Sequence, residues 1–479
     1  MDADICYLSA TEALQRFRDR TLSPVELLEA QLKRIDDTSD TVNATSFVYA
    51  DEALDLARDA ERRYGSSDGR LRPLDGIPTA IKDESGIAGK VTTYGSLIYK
   101  DAVAETTSTV VQRLMDSGAI VHSRTTTPEF SCEGVTHSKL WGVTRNPWNL
   151  DFTPGGSSGG AGASLAAGLT TLANGSDIGG SIRIPASACG VVGYKPPYGR
   201  NPSSSPFNLD PYNHPGPMAR SVEDCLLMQN IMCGPDAKDI ASLRPKLTMT
   251  DGRSGIKGWK IAYSLDLGYF EVDEEVRRNT LAALDVFRSL GATVEEVDLG
   301  WTKDSERAAY SHLQTIFGSW IAEYLDTKAD LLTAYARHFA EGARGTTCND
   351  FLKSMYKAGE MYASLGPILE THQILICPTL AVPAVAADFE PSTDKIVING
   401  KEVHPSIGWP MTYPFNMMSR CPVLSVPSGR ASNGVPTGIQ IVGQTYSDET
   451  VFTAGLAYEQ AVGGWYGKPQ DRPAIPAAI

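Results

Sequence analysis

Three residues of this 479-residue chain could together move protons. They are Lys82 in IKD, Ser157 as the first serine of GGSSGG, and Ser181 in DIGGSIRIP. Each type alone is commonplace: a loop lysine is usually a solvated charge, a Gly/Ser stretch a turn, and Ser181 reads equally as a helix N-cap. Together, in a glycine-rich frame, they point to a serine nucleophile activated by lysine rather than histidine. A serine hydroxyl is a poor nucleophile until a base takes its proton. Lysine can be that base only if burial and neighbouring donors lower its pKa enough to leave the amine uncharged. Lys82 follows the apolar run GIPTAI, which is expected to carry it into the interior. A reacting carbonyl also needs backbone N–H donors aimed at the developing oxyanion. The run Ile178-Gly179-Gly180-Ser181 can supply them, its glycines permitting unusual backbone angles and leaving room for an acyl group.

Other patterns carry less. Gly155–Gly159 fits the G-x-S-x-G nucleophile elbow, but that motif needs a strand immediately before it, and the polar, proline-ended NLDFTP precedes it here. Ser392-Thr393-Asp394-Lys395 fits S-x-x-K but sits in the polar stretch EPSTDK, which reads as a solvent loop. GGSSGG lacks the G-K-[ST] ending of a phosphate loop. The seven histidines show no metal-binding spacing.

The positioning elements are legible. Ser23-Pro24 before VELLEAQLKRIDD predicts a capped amphipathic helix, and DEALDLARDAERR a second. GIPTAIKDESG reads as a short strand leading into a loop, TSTVVQRLMDSG as a helix stopped by Gly118, and AIVHSRT as a strand. From Gly142 to Tyr198 the chain becomes rich in Gly, Ser and Ala, with β-branched runs and a small-residue helix, SSGGAGASLAAGL. RSVEDCLLMQNIM is a helix; WKIAYSLDL, DEEVRRNTLAALDVFRSLG and ATVEEVDL form a β-α-β unit. Helices fill much of 303–366. ILICPTLAV, PVLSVPSG and TGIQIVG are late buried strands, and ETVFTAGLAYEQAV is a closing helix. The alternation predicts a single α/β domain over 1–479: a large mixed, mostly parallel sheet covered by helices on both faces, with residues 1–65 as helices packed against it.

Composition narrows the function. Asp and Glu outnumber Lys and Arg 57 to 43, for a net charge of −14, and no basic run occurs, so nucleic acid and membrane surfaces are not expected partners. The start, MDADICYLSATEALQRF, lacks the charged and apolar regions of a signal peptide, and no apolar stretch is long enough to span a bilayer. Eight scattered cysteines without C-x-x-C read as reduced thiols of a cytoplasmic protein.

The chain resembles the amidase-signature enzymes. The likeness is carried by SPVELLEAQLKRID, PLDGIPTAIKD, AIVHSRTTTPEF, GVTRNPWN, GGSSGG, DIGGSIRIPASACGVVGYKP, GPMARSVED, PVLSVPSG and GVPTGIQIVG. Lys82 precedes Ser157 by 75 residues and Ser157 precedes Ser181 by 24, which also fits the family. The resemblance implies that Ser181 is the acylated nucleophile, that Ser157 is a relay following a cis peptide bond, and that a neutral Lys82 is the base. It places Ser158, Asp177 and Arg183 in support, and Phe130, Ser131 and Cys132 in the segment bordering the substrate. It implies no metal and no organic cofactor; homodimers are common in the family. The segments GRNPSSSPFNLDPYNHPGP and HPSIGWPMTYPFNMMSRCP, aromatic and poor in charge, are expected to shape a pocket for a small neutral amide, anilide or carbamate, with esters as a side activity. One rival is the glutamine-hydrolysing chain of a tRNA-dependent amidotransferase. That chain usually carries an acidic residue before its late FT-x-P-x-N-type segment and an R-R-I-x-L-G-type stretch; here the first reads WPMTYPFNMM and the second is missing. A catalytically silent binding protein on the same fold is the other, opposed by the intact Lys82, Ser157 and Ser181.

Overall fold

The computed structural model describes residues 3–66, 69–250 and 255–476. The helix Pro24–Val42 begins where its cap predicts. Ser23 Oγ accepts from the Glu26 N–H at 3.1 Å, and the Glu26 carboxylate accepts from the Ser23 N–H at 2.8 Å. The helices Ala10–Arg18 and Ala50–Gly65 complete the N-terminal set.

Eleven strands form the main sheet. In chain order they are β1 (Thr45–Val48), β2 (Pro78–Lys82), β3 (Ile120–Thr125), β4 (Leu172–Asp177), β5 (Val192–Lys195), β6 (His214–Ala219), β7 (Lys260–Tyr263), β8 (Thr293–Glu296), β9 (Ile374–Pro378), β10 (Val423–Arg430) and β11 (Pro436–Gly443). Their order across the sheet is β1-β3-β2-β4-β6-β5-β10-β11-β9-β7-β8. Helices cover both faces. A side chain at Gly438 of β11 would meet Ser187 of the helix Arg183–Cys189, whereas one at Gly443 would meet Val451 of the closing helix Asp448–Val462. An odd separation along a strand reverses the face. Ile439 and Ile441 accordingly pack with Leu284, Phe287 and Phe452, while Val442 packs with Trp409 and Phe415. Each such fully buried side chain contributes about 2 kcal/mol.

The sheet is mixed, but it is not mostly parallel. Of the ten neighbouring pairs, β2–β3, β2–β4, β7–β8 and β7–β9 are parallel and the other six are antiparallel. Two parallel triplets flank an antiparallel centre. The reason lies in β6: HPGPMA carries Pro215 and Pro217, which argue against a strand in sequence. Yet it inserts between β4 and β5 and converts one parallel neighbour relation into two antiparallel ones. The hairpin β10–β11 adds another reversal. The short edge strand β1 likewise joins the sheet within an N-terminal region expected to be helical.

Other details bear on the sequence reading. None of the eight cysteines forms a disulfide among the described residues: six are buried, Cys132 is half-buried and Cys348 is exposed. No helix among the described residues is long and apolar enough to cross a membrane. Lys395 of the S-x-x-K stretch is exposed and pairs with Glu402, and no strand runs into Gly155.

Candidate active site

β2 and β4 are parallel neighbours, so their carboxyl ends meet at one edge. Lys82 is the last residue of β2; Ser176 and Asp177 end β4. All five residues of β2 are buried, and the Lys82 side chain has no exposure. Its amine lies 2.7 Å from Ser157 Oγ, 2.9 Å from Ser176 Oγ and 3.3 Å from a Glu84 carboxylate oxygen. Burial holds the Lys82 pKa below its usual range and outweighs the opposing charges of Glu84 and Asp177. Burial would by itself raise Glu84, but Lys82 and the hydroxyls of Ser131 and Ser176 bring it below the ordinary carboxylate value. Ser131 Oγ donates to it at 2.5 Å.

Ser157 lies in the turn ahead of the helix Gly159–Ala166, and the Gly156–Ser157 peptide is cis. Gly156 is required here by close approach: a Cβ would stand 2.4 Å from the Val135 carbonyl oxygen. The adjoining Ser158 N–H donates to the Ser181 carbonyl at 3.1 Å, tying the two serine-bearing turns together. Ser181 lies four residues beyond the end of β4 and is buried. Its Oγ has no hydrogen bond among the described residues, so none joins it to Ser157; the Lys82–Ser157 contact is formed and the second is open.

The backbone between β4 and Ser181 is set by neighbours. Thr412 Oγ1 donates to the Gly179 carbonyl at 2.7 Å. Gly180 has φ 131°, and a Cβ there would fall 1.9 Å from Thr412 Oγ1, so only glycine fits. The N–H groups of Ile178, Gly179, Gly180 and Ser181 have no acceptor among the described residues. Asp177 and Arg183, both without exposure, brace this turn as a bidentate ion pair at 2.8 and 2.9 Å. Burial would raise Asp177, but Arg183 and Asn416 hold its carboxyl below the usual range. The guanidinium also donates to the Thr412 carbonyl, Gln440 and Asn416, which links the Ser181 turn to the segment 412–416. Arg183→Met would leave Asp177 buried without its partner. The expected cost is about 3–5 kcal/mol, read as a lower denaturant midpoint; an unchanged midpoint would show that the pair does not hold the turn.

Two cavities meet at this site. One, of about 50 Å³, is lined by Ser181, Ile178 and Gly179, and beyond them by apolar and aromatic groups including Tyr310, Leu313 and Phe339. The other, of about 490 Å³, is lined by Ser157, Ser176 and Glu84 together with Tyr94, Tyr99, Phe207 and Trp320. Ser131, Ile178 and Phe317 border both. Of the three residues expected along the substrate, Ser131 lines both cavities and Cys132 the smaller one, its thiol pushed up by burial. Phe130 lines neither. It is fully buried and packs edge-on against Trp320, with ring centres 4.9 Å apart, so it supports a wall rather than forming one.

The two loop segments expected to shape a pocket both do so, through Pro202–Phe207 and through Ser406, Ile407, Pro410 and Tyr413. Sequence reasoning missed Glu84, Ser176 and Thr412. Glu84 follows β2, the strand expected within GIPTAIKDESG, whereas β4 was not among the expected strands, so Ser176 reaches the amine only through the adjacency of β2 and β4. Also missed were Tyr310, Leu313, Phe317 and Trp320, whose helical stretch contains a π-helical turn at Gln314–Gly318, a feature frequent at functional sites.

The chain matches the Amidase family model over residues 26–452 and belongs to that family. It is 33% identical to an acylamidase of Rhodococcus erythropolis, covering 98% of each chain. It is 31% identical to the A chain of the glutamyl-tRNA(Gln) amidotransferase of Geotalea daltonii, covering 95% of this chain and 97% of that one. Among solved structures, a bacterial aryl acylamidase of the amidase-signature enzymes superposes with a TM-score of 0.88 at 31% identity, over 95% of this chain and 96% of the other.

Proposed function

We propose that this protein hydrolyses the C–N bond of a neutral aryl or alkyl carboxylic amide through an acyl-enzyme on Ser181. Anilides and carbamates fall within the same reading, and esters are a side activity. The observation that carries it is a wholly buried amine 2.7 Å from Ser157, beside a Ser181 turn whose N–H groups lack acceptors. Neutral Lys82 takes the Ser157 proton as Ser157 takes that of Ser181, and Ser181 Oγ bonds to the carbonyl carbon. The free N–H groups of the 178–181 turn then stabilise the oxyanion. The proton returns through Ser157 to the leaving nitrogen, the C–N bond breaks, and water attacks the acyl-enzyme by the reverse route. The open Ser157–Ser181 contact closes as substrate seats, as catalytic hydrogen bonds commonly do. Ser158, Asp177 and Arg183 act by holding the turn.

Labelling by a fluorophosphonate, with the adduct located on Ser181, together with kcat/KM on anilides, primary amides, carbamates and glutamine, tests the reading. The likeness to an amidotransferase chain favours one second reading, glutamine hydrolysis for a tRNA-linked partner. Glutamine as the best substrate of the panel would replace the first reading with it.

Glu84 gives a pH test. Lys82 must be uncharged to accept a proton, so activity rises as pH passes its pKa. The Glu84 charge favours the ammonium form. Glu84→Gln removes that support, the amine becomes uncharged at lower pH, and the acid limb of kcat/KM moves to lower pH. A limb that stays in place or moves upward counts against Lys82 as the base.

A further inference from the structure

We propose that Glu133 is a specificity-determining residue of the Ser181 cavity, whose carboxyl group engages an uncharged hydrogen-bond acceptor, an ether or carbonyl oxygen, in the acyl part of the substrate. This deepens the reading of Ser181 as the acylated group and rests on it. Glu133 lines the same cavity as Ser181, the smaller of the two that meet at Ser131, Ile178 and Phe317. It is 7% exposed and stands among Tyr310, Leu313, Phe317 and Phe339. A carboxylate in such surroundings needs a cation, and none of the residues lining this cavity is one. Its one side-chain hydrogen bond is from Ser406 Oγ, which donates to Oε1 at 3.0 Å. Among the described residues no side chain pairs with Oε2. A charged glutamate would be poorly served here; a protonated one is well served. Oε1 accepts from Ser406, and the proton on Oε2 is left to donate to a ligand.

The protonation follows from the surroundings. Burial pushes the Glu133 carboxyl up to about 8, Glu390 adding to the rise and Ser406 and the Gly134 N–H opposing it. Several of the groups around it stay uncharged between pH 6.5 and 9.5. Burial raises the Cys132 thiol and the Tyr310 and Tyr413 hydroxyls, and keeps them uncharged. Burial lowers His404, which packs on Tyr310 and accepts from the Ser406 N–H, to about 4. Glu129 is raised by burial, behind Cys132. Glu306 and Arg307 lie in the neighbouring cleft that shares Tyr310 and Ile407. Lys82 and Glu84 lie beyond Ser131, and the parent anilide measured at each pH accounts for their titration.

A neutral donor in a largely apolar cavity discriminates by what it leaves unpaired: an all-alkyl acyl chain desolvates the O–H without replacing its partner. The test uses the Ser181→Ala protein, hexananilide, and a series in which one chain methylene at a time is replaced by oxygen, with binding read by calorimetry at pH 6.5 and 9.5. One isostere is expected to bind about fivefold tighter than the parent at pH 6.5 and to lose that advantage at pH 9.5, where Glu133 is ionised. With Glu133→Gln added, the amide N–H₂ keeps donating and the advantage persists at both pH values. The proposal fails if no oxygen position gives a pH-dependent advantage, or if the glutamine variant keeps the pH dependence. Should that variant not fold, the pH dependence in the Ser181→Ala protein decides alone. Binding is read without the Ser181 hydroxyl. An unaltered enzyme that turned over no anilide would therefore overturn the catalytic reading while this measurement still judged Glu133.

Discussion

Ser181→Ala is expected to lower kcat/KM on anilides by at least about 10⁴-fold while leaving the fold intact. The size follows from removing the atom that bonds to carbon; whatever rate remains comes from polarisation by the 178–181 N–H groups and from binding. The intact fold follows from the structure. Ser181 Oγ makes no hydrogen bond among the described residues, whereas its carbonyl, which the substitution keeps, holds the Ser158 N–H. Loss of one unpaired hydroxyl at a cavity wall falls within the small effects of ordinary substitutions. Circular dichroism and the thermal midpoint are therefore expected to match the unaltered protein, and fluorophosphonate labelling to vanish. A variant that kept more than about one part in a hundred of the activity, far above such residual rates, would show that another group is acylated.

Lys82→Ala is expected to lower amide hydrolysis by about 10³–10⁴-fold, with a smaller loss on the matching ester. Lys82 has two tasks in the proposed relay. It removes a proton during acylation, which both substrates need, and it supplies one to the leaving atom, which the amide needs far more because an amine anion is a poor leaving group. The substitution also empties buried space and leaves Glu84 without its 3.3 Å partner, so some loss of stability is expected. Lys82→Met fills most of that space and separates the two effects: it should match alanine in activity while recovering stability. Equal losses on amide and ester in both variants would remove Lys82 from leaving-group protonation.

The local elements were open to the sequence because their causes are local. Ser23, Pro24 and Glu26 cap a helix with atoms three residues apart, and the apolar run ending at Lys82 marks a buried strand from its own pattern. The Lys82, Ser157 and Ser181 trio was legible for another reason. Gly156 is demanded by close backbone contacts and Gly180 by its positive φ and the Thr412 side chain, and such demands leave a mark in composition. Strand order has no such local cause. β6 hides behind Pro215 and Pro217, and its insertion between β4 and β5 is decided by neighbours far away in the chain. That is why a mostly parallel sheet was expected and an antiparallel centre was found.

The same division runs through the site. Which residues are candidates for the proposed relay follows from side-chain chemistry and from the likeness of GGSSGG and DIGGSIRIP to the amidase signature, both open to the sequence alone. What surrounds the relay was decided only when β2 and β4 came side by side. Their meeting set Glu84 and Ser176 on the Lys82 amine, and the Asp177–Arg183 pair brought Thr412 onto the Gly179 carbonyl. Tyr310, Phe317 and Trp320 reached the cavity walls from a helical stretch more than a hundred residues beyond Ser181. The physical reason is that burial and charge pairing act through space. A pKa, a cavity wall or an unpaired N–H is set by whatever atoms arrive within a few ångströms, and chain order does not encode that distance.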